Sequence, residues 1–488
     1  MKLEQLIARF EYEVVQGSVE IEISTLANDS RKIEQDSVFV CISGTVADGH
    51  AYAAEVIEKG ATALIVEQPI EVPEHITVIH VDNSRYALAL MSAAYFGYPA
   101  EKLKIIGITG TKGKTTTTYM VKSILDNVGH KVGLIGTIEA IIGDKHIPAD
   151  NTTPESFTIH KLLAEMLDVG IDTVVMEVSS QGLKLHRTAG IQFEIGIFTN
   201  LGYDHIGPNE HEDFEDYKRC KGILFTQCKL GIANCDNEYY EEVFRYATCR
   251  RETVGFSKEA DLRAEDVQLV SKPNSLGVSY QVKGLMEFPV EIEMPGTFSV
   301  YNSLLAIGVC RHFGVPIPIL QEALKKAQVK GRIELIPVSD QFTLLIDYAH
   351  NAMSLESLLL TLKEYHPTRL VCLFGCGGNR AKDRRFEMGE VSGRLADLTV
   401  ITSDNPRYEK PQAILDDIKV GVGRSGGEYL EIIDRKQAIR YVIEHGKTGD
   451  VIVLAGKGHE DYQEIEGVKY PMDERVIIRE ILAGRGRG

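Results

Sequence analysis

No stretch of this 488-residue sequence approaches the roughly 18 apolar residues of a membrane-spanning helix, so none is expected. The first residues, MKLEQLIARFEYEVV, carry charges within their apolar stretch, so they are not expected to act as a signal peptide. The eight cysteines include no CxxC pair and no framework spacing, which favours reduced thiols over zinc or disulfides. A basic surplus is also missing: 53 Lys and Arg stand against 70 Asp and Glu, a net charge of −17 spread along the chain. Such a balance repels nucleic acid and anionic membranes, both of which need a basic footprint. A phosphorylated small molecule stays open, because local Lys and Arg clusters override the mean field. Repeats and low-complexity tracts are absent; so is Trp, which decides nothing. The expectation is a cytoplasmic protein.

What is present is an ordinary globular composition, 44% hydrophobic and 25% charged, in a chain long enough for three domains. Residues 1–100 read as a small α/β unit with strands at SVFVCI (37–42), ALIVE (63–67) and ITVIHV (76–81). A Gly and Pro after YALALMSAAYF suggest a boundary near residue 100. From Lys104 apolar strands alternate with helices, the signature of a mostly parallel sheet: KIIGIT (104–109), TVVMEV (173–178), IGIFTN (195–200) and KLGIAN (229–234). An irregular β-rich stretch covers about 251–295, and a second parallel series follows Gly331: TLLIDY (343–348), RLVCLFG (369–375), LTVITS (398–403) and DVIVLAG (450–456). The fold class expected is α/β in three domains, 1–100, 101–330 and 331–488, with chemistry at the carboxyl ends of the strands.

The sharpest local signal is KIIGITGTKGKTTTTYMVKSILDNV (104–128), a strand, a Gly-rich turn and an amphipathic helix. Glycines let backbone N–H groups close around phosphate oxygens, and the helix start favours negative charge. The loop Gly110, Thr111, Lys112, Gly113, Lys114, Thr115 and Thr116 therefore predicts ATP binding. Lys114 would reach the β/γ-phosphates and the Thr115 hydroxyl Mg²⁺. The spacing departs from the common Walker A form, since two residues, not four, separate Gly110 from the Gly-Lys pair.

The short form GTKGKTT resembles the loop of the Mur ligases, which build the peptide of peptidoglycan, and of the related folylpolyglutamate synthetases. Other motifs agree: DSR (29–31), ADGH (47–50), NTTPES (151–156), MEVSSQGL (176–183), FTNLGYDH (198–205), YKRCKGILF (217–225), DYAHN (347–351), FGCGGNR (374–380), DNPR (404–407) and AGKGHEDYQ (455–463). Within the family the chain is most similar to ligases adding the third residue to UDP-N-acetylmuramoyl-L-alanyl-D-glutamate. The resemblance implies a UDP-binding N-terminal domain, a central ATPase domain and a C-terminal Rossmann-like domain; a monomer is expected.

It also implies site roles. Lys114, Glu177, His205 and Lys221 would form the catalytic centre, with Glu177, His205 and Lys221 (as a carbamate) joining Thr115 around Mg²⁺. An unmodified Lys221 would be cationic, the wrong sign beside a metal. Asn302, Arg332 and Asp347 would complete the ATP site. Ser30, Thr152, Thr153, Ser179 and Arg187 would contact the UDP-muramoyl-dipeptide. Arg380, Asp404, Asn405, Pro406, Arg407, Gly456 and Glu460 would hold the added amino acid. The DNPR form marks enzymes that add meso-diaminopimelate. Arg407 could grip its distal carboxylate bidentately and would repel the ammonium of L-lysine. Three stretches, IGPNEHEDFEDY, DYAHNA and GGNRAKDRRFE, depart from the common family forms. Adding L-lysine, a folylpolyglutamate-type ligation and a non-catalytic nucleotide-binding subunit are the rival readings.

Overall fold

The computed structural model describes every residue except Thr45, Val46, His205, Pro208, Asn209, Pro273, Asn274 and 486–488. The chain divides into two compact units, Met1–Asp261 with Leu305–Val315, and Leu262–Leu304 with Pro316–Gly488.

In the first unit, the N-terminal sheet runs in the order Glu13–Gln16, Thr77–His80, Ala61–Val66, Ser37–Val40, Thr25–Ala27. Its first pair is antiparallel and the rest are parallel. The second sheet of this unit lies around Lys104–Thr109, with Phe193–Phe198 on one side and Thr173–Glu177 on the other. Cys228–Asn234 and Arg250–Gly255 extend it in parallel beyond the first, and Val132–Ile135 beyond the second. Strands covered on both faces read as unbroken apolar runs, and Ile105, Ile106 and Ile108 are buried accordingly. Register then fixes the site: Ile108 stands opposite Glu177, and Thr109 opposite Phe198. Gly110, Glu177 and Thr199 thus emerge side by side at one carboxyl edge. An antiparallel meander, Glu139–Ile142 and Lys145–Pro148, follows Val132–Ile135 and was not visible in the periodicity.

The second unit contains an antiparallel ladder, Leu262–Lys272, Ser275–Gly284 and Phe288–Ile292, where the irregular β-rich stretch was expected. Its larger sheet runs Glu334–Ile336, Thr343–Asp347, Asp450–Ala455, Arg369–Phe374, Leu398–Ile401, Tyr429–Glu431, parallel except for the first pair. Asp347 pairs with Ala455 and Phe374 with Ile401, so Gly456, Gly375 and Asp404 also share a carboxyl edge. A small hairpin, Tyr462–Ile465 with Val468–Pro471, stands apart from this sheet. No described helix is long and apolar enough to cross a membrane.

Candidate functional sites at the carboxyl edges

The glycine-rich loop of the first unit leaves the strand at Gly110, with φ +148, and enters the helix Lys114–Asp126 through Gly113, with φ +86. A Cβ on Gly110 would lie 1.9 Å from Thr199 Oγ1, so the neighbouring strand end demands glycine there. Thr199 Oγ1 donates to Lys112 O at 2.6 Å, Lys112 N to Asn200 Oδ1 at 3.0 Å, and Thr111 N to Asn200 O at 2.9 Å. Thr111 Oγ1 stands 3.1 Å from the Tyr217 hydroxyl. The first helical turn carries no acid, which keeps its N-terminus suited to an anion.

Two lysine side chains converge on this loop. Lys114 Nζ donates to Gly110 O at 2.8 Å and Thr111 O at 3.1 Å; Lys221 Nζ donates to Gly110 O at 2.9 Å. Lys221, from the helix Phe214–Gly222, is buried, and burial together with the Lys114 charge holds its pKa well below the usual lysine range. Glu177 is buried as well, and its carboxylate accepts from Thr115 Oγ1 at 3.0 Å, Thr137 N at 2.9 Å and Thr137 Oγ1 at 2.9 Å. No cation pairs with it among the described contacts. A buried carboxylate with no counter-ion among the described residues, beside a threonine hydroxyl, is a hard-oxygen donor set that fits Mg²⁺. His205 lies outside the described residues.

The residues expected at the dipeptide end adjoin Glu177. Thr153 Oγ1 donates to Glu177 O at 3.0 Å and accepts from Ser179 N at 2.9 Å. Thr152 Oγ1 lies 3.1 Å from Thr137 Oγ1. Arg187 donates to Thr153 O at 2.8 Å and pairs with Glu155 at 2.6 Å. Ser30 stands elsewhere in this unit, on a short 3₁₀ turn capped by Asp29, its carbonyl accepting from Lys59 Nζ at 3.0 Å.

In the second unit, Asn302 is buried on the helix Thr297–His312. Asp347 is buried and accepts from Ile333 N and Ala349 N, both at 2.8 Å; burial raises its pKa. Ile333 adopts φ +44, unusual for a β-branched residue, and its N–H is directed at Asp347. The Arg332 guanidinium sits 4.8 Å from the Tyr348 ring centroid.

A cavity of about 280 Å³ opens at this unit's carboxyl edge, lined in part by Arg380, Asp404, Asn405, Arg407, Gly456 and Glu460. These are the residues expected around the amino acid; Pro406 shares their loop without lining the cavity. Tyr348, His350, Cys376, Gly377 and Arg384 also line it and were not anticipated as site residues. Arg407 has φ +50, held by Arg407 N donating to Glu464 O at 3.0 Å and Glu466 N donating to Arg407 O at 2.8 Å. Its guanidinium donates from Nε to Glu464 at 3.1 Å and from Nη1 to Gly378 O at 2.8 Å. The hairpin thus fixes both ends of this arginine. Lys457, another residue sequence reasoning missed, is buried among Asp404, Asn405 and Glu460. The signal was its place in AGKGHEDYQ, a motif read only for its Gly and Glu. Thr137 left no signal, because it follows a strand the periodicity did not reveal.

Comparison with known proteins points to one family. Residues 22–100 match the model described as Mur ligase family, catalytic domain; 108–310 match the Mur ligase middle domain; 331–458 match the Mur ligase glutamate ligase domain. The UDP-N-acetylmuramoyl-L-alanyl-D-glutamate–2,6-diaminopimelate ligase 1 of Clostridium acetobutylicum is 42% identical over 99% of both chains. A solved structure of a ligase with that same substrate name superposes with a TM-score of 0.73 at 27% identity, covering 100% of this chain and 99% of the other. The MurF ligase of Thermotoga maritima, solved with ADP, has a TM-score of 0.60 at 18% identity over 94% and 98% of the two chains, which shows the shared fold. The chain belongs to the Mur ligase family.

Proposed function

We propose that this protein is an ATP-dependent ligase that joins meso-2,6-diaminopimelate to UDP-N-acetylmuramoyl-L-alanyl-D-glutamate in the cytoplasm, releasing ADP and phosphate. Forming an amide from a free carboxylate is uphill, and the carboxylate has no leaving group. Transfer of the γ-phosphoryl group to the D-glutamyl carboxylate gives an acyl phosphate. The incoming amine attacks its carbonyl carbon, the C–O bond to phosphate breaks, and the amine loses a proton. Residues 1–100 take the UDP end, 101–330 the ATP, and 331–488 the amino acid.

The observation that carries this reading is the loop at Gly110, where Lys114 and Lys221 approach within 2.8 and 2.9 Å of one carbonyl, in a family of ligases. Phosphoryl transfer is chiefly positioning and charge neutralisation. Backbone N–H groups of the loop and Lys114 would hold the phosphates. Asn302, Arg332 and Asp347 would hold the rest of the nucleotide. Mg²⁺, when bound, would neutralise charge on the phosphate oxygens, with Thr115, Glu177, His205 and Lys221 as its protein ligands. For Lys221 this requires the carbamate. Supporting it, burial lowers the lysine pKa, and the neutral amine is the form that adds CO₂. Ser30, Thr152, Thr153, Ser179 and Arg187 would orient the muramoyl-dipeptide.

Selection of the amino acid is assigned to the cavity of the second unit. Arg407 is fixed there by Glu464 and Gly378 and lines the cavity, as a receptor for the distal carboxylate must. The test is Mg²⁺- and ATP-dependent phosphate release with the UDP-muramoyl-dipeptide and meso-diaminopimelate, L-lysine or no amine. Release with diaminopimelate alone supports the whole reading. Release with lysine instead keeps the ligase and removes the role of Arg407. Release independent of any amine contradicts ligation.

A further inference from the structure

We propose that Lys457 is a positioning residue that sets the charge of the amino-acid cavity and hence its choice between amino acids of different net charge. This rests on the reading of that cavity given above. The side chain is 0% exposed and does not line the cavity, yet its ammonium meets four oxygens from behind. They are Tyr462 O at 2.6 Å, Asn405 Oδ1 at 2.7 Å, and Glu460 Oε2 and Asp404 Oδ1, each at 3.1 Å.

Two consequences follow from that arrangement. First, the Asn405 amide is oriented: Oδ1 accepts from Lys457 and from Glu464 N at 2.9 Å, so Nδ2 donates to Glu460 Oε2 at 2.9 Å. Glu460 is therefore held by Oε2, and its other oxygen is directed to the Tyr348 hydroxyl, a cavity-lining group. Second, Asp404 and Glu460, from separate strand ends, lie within 3.1 Å of one fully buried nitrogen. Without a cation between them, like charges would oppose each other at low dielectric. The nearby buried ions Arg435 and Glu474 neutralise one another at 2.9 Å and leave this balance unchanged.

Lys457 thus offsets one of the two acids, leaving a demand for a single ammonium at that end of the cavity. Arg407 and its neighbours Arg380 and Arg384 supply positive charge for carboxylates. A distal end bearing one carboxylate and one ammonium suits this arrangement, with the ammonium at the acid that Lys457 leaves unbalanced and the carboxylate at the arginines. An amino acid lacking the second carboxylate carries one excess positive charge, and removing a cation from behind the cavity favours it relative to the dicarboxylate.

The test compares full-length wild type with Lys457→Gln, which keeps hydrogen-bond donors without charge, and Lys457→Arg, which keeps charge. kcat/KM for meso-diaminopimelate and for L-lysine is measured at saturating ATP and UDP-muramoyl-dipeptide. Lys457→Gln is expected to move the diaminopimelate-to-lysine ratio about tenfold toward lysine, with the KM of ATP within twofold. Lys457→Arg is expected to keep the wild-type ratio, whatever its kcat. A purely structural lysine would lower both amino acids alike, and an unchanged ratio in Lys457→Gln overturns the proposal. Should Lys457→Gln fail to fold, Lys457→Arg decides, and a ratio shifted toward lysine in that variant overturns it. A wild type that ligates neither amino acid brings down the reading of the cavity itself.

Discussion

Replacing Glu177 by glutamine separates a structural acid from a metal-binding one. The carboxylate accepts three hydrogen bonds, from Thr115 Oγ1, Thr137 N and Thr137 Oγ1, and is wholly buried. Hydrogen bonds to a charged acceptor contribute roughly 1.5–3 kcal/mol each and neutral ones about 0.5–1.5, so the exchange loses about 1 kcal/mol per bond. Both threonine hydroxyls can turn to accept from the new amide. Opposing the loss, the substitution removes the desolvation of a buried anion, an effect of several kcal/mol in the other direction. Stability should therefore stay within about 2 kcal/mol of wild type, measured by denaturant unfolding. Turnover should not. Losing the anion beside the phosphates should cost about 10²–10³ in kcat, as loss of a preorganised charge-stabilising group does, and should raise the Mg²⁺ concentration giving half-maximal rate. A strongly destabilised variant whose folded fraction turns over within threefold of wild type would show that Glu177 merely braces Thr115 against Thr137.

Three further outcomes follow from particular contacts. Gly110→Ala places a methyl group 1.9 Å from Thr199 Oγ1 at φ +148, and should destabilise the protein by about 3 kcal/mol and abolish ADP binding in calorimetry; unimpaired binding would contradict the tight loop. Arg407→Ala should raise the KM for meso-diaminopimelate about 10–100-fold, as expected for a lost charged hydrogen-bond pair, while the KM for the UDP-muramoyl-dipeptide stays put; a change in the latter instead would move Arg407 out of the amino-acid site. His160 is buried, neither ring nitrogen is hydrogen-bonded among the described residues, and burial pushes its pKa down to about 4. Between pH 6.5 and 4 the unfolded chain takes a proton that the folded one refuses, so stability falls as pH drops through that window, by up to about 3 kcal/mol. His160→Leu should flatten that slope in pH-dependent unfolding, and an unchanged slope would refute the assignment.

Much of the architecture was legible because parallel strands buried on both faces write themselves as apolar runs. KIIGIT, TLLIDY and DVIVLAG correspond to Lys104–Thr109, Thr343–Asp347 and Asp450–Ala455. The motifs after those strands named residues that register brings to common edges, which is why Arg380, Asn405, Arg407 and Glu460 line one cavity. Short and exposed strands were not legible. Glu13–Gln16, Lys145–Pro148 and Val468–Pro471 bury too little to impose a period. That gap hid the hairpin pinning Arg407, and with it Glu464. Thr137 follows another strand the periodicity did not reveal, and its partner Glu177 lies 40 positions away; Lys457 stands in a motif read only for its Gly and Glu, and its partner Asn405 lies 52 positions away. Spacing cannot announce such a partnership.

The central claim, that ATP drives addition of diaminopimelate to the UDP-muramoyl-dipeptide, is tested most directly by competition. The enzyme is given ATP, Mg²⁺, the dipeptide substrate and equal concentrations of meso-diaminopimelate and L-lysine, and the UDP-linked products are resolved by mass. The account predicts the diaminopimelate tripeptide in amounts matching the ADP formed, with little lysine product. A predominant lysine tripeptide, or ADP without any tripeptide, would contradict it.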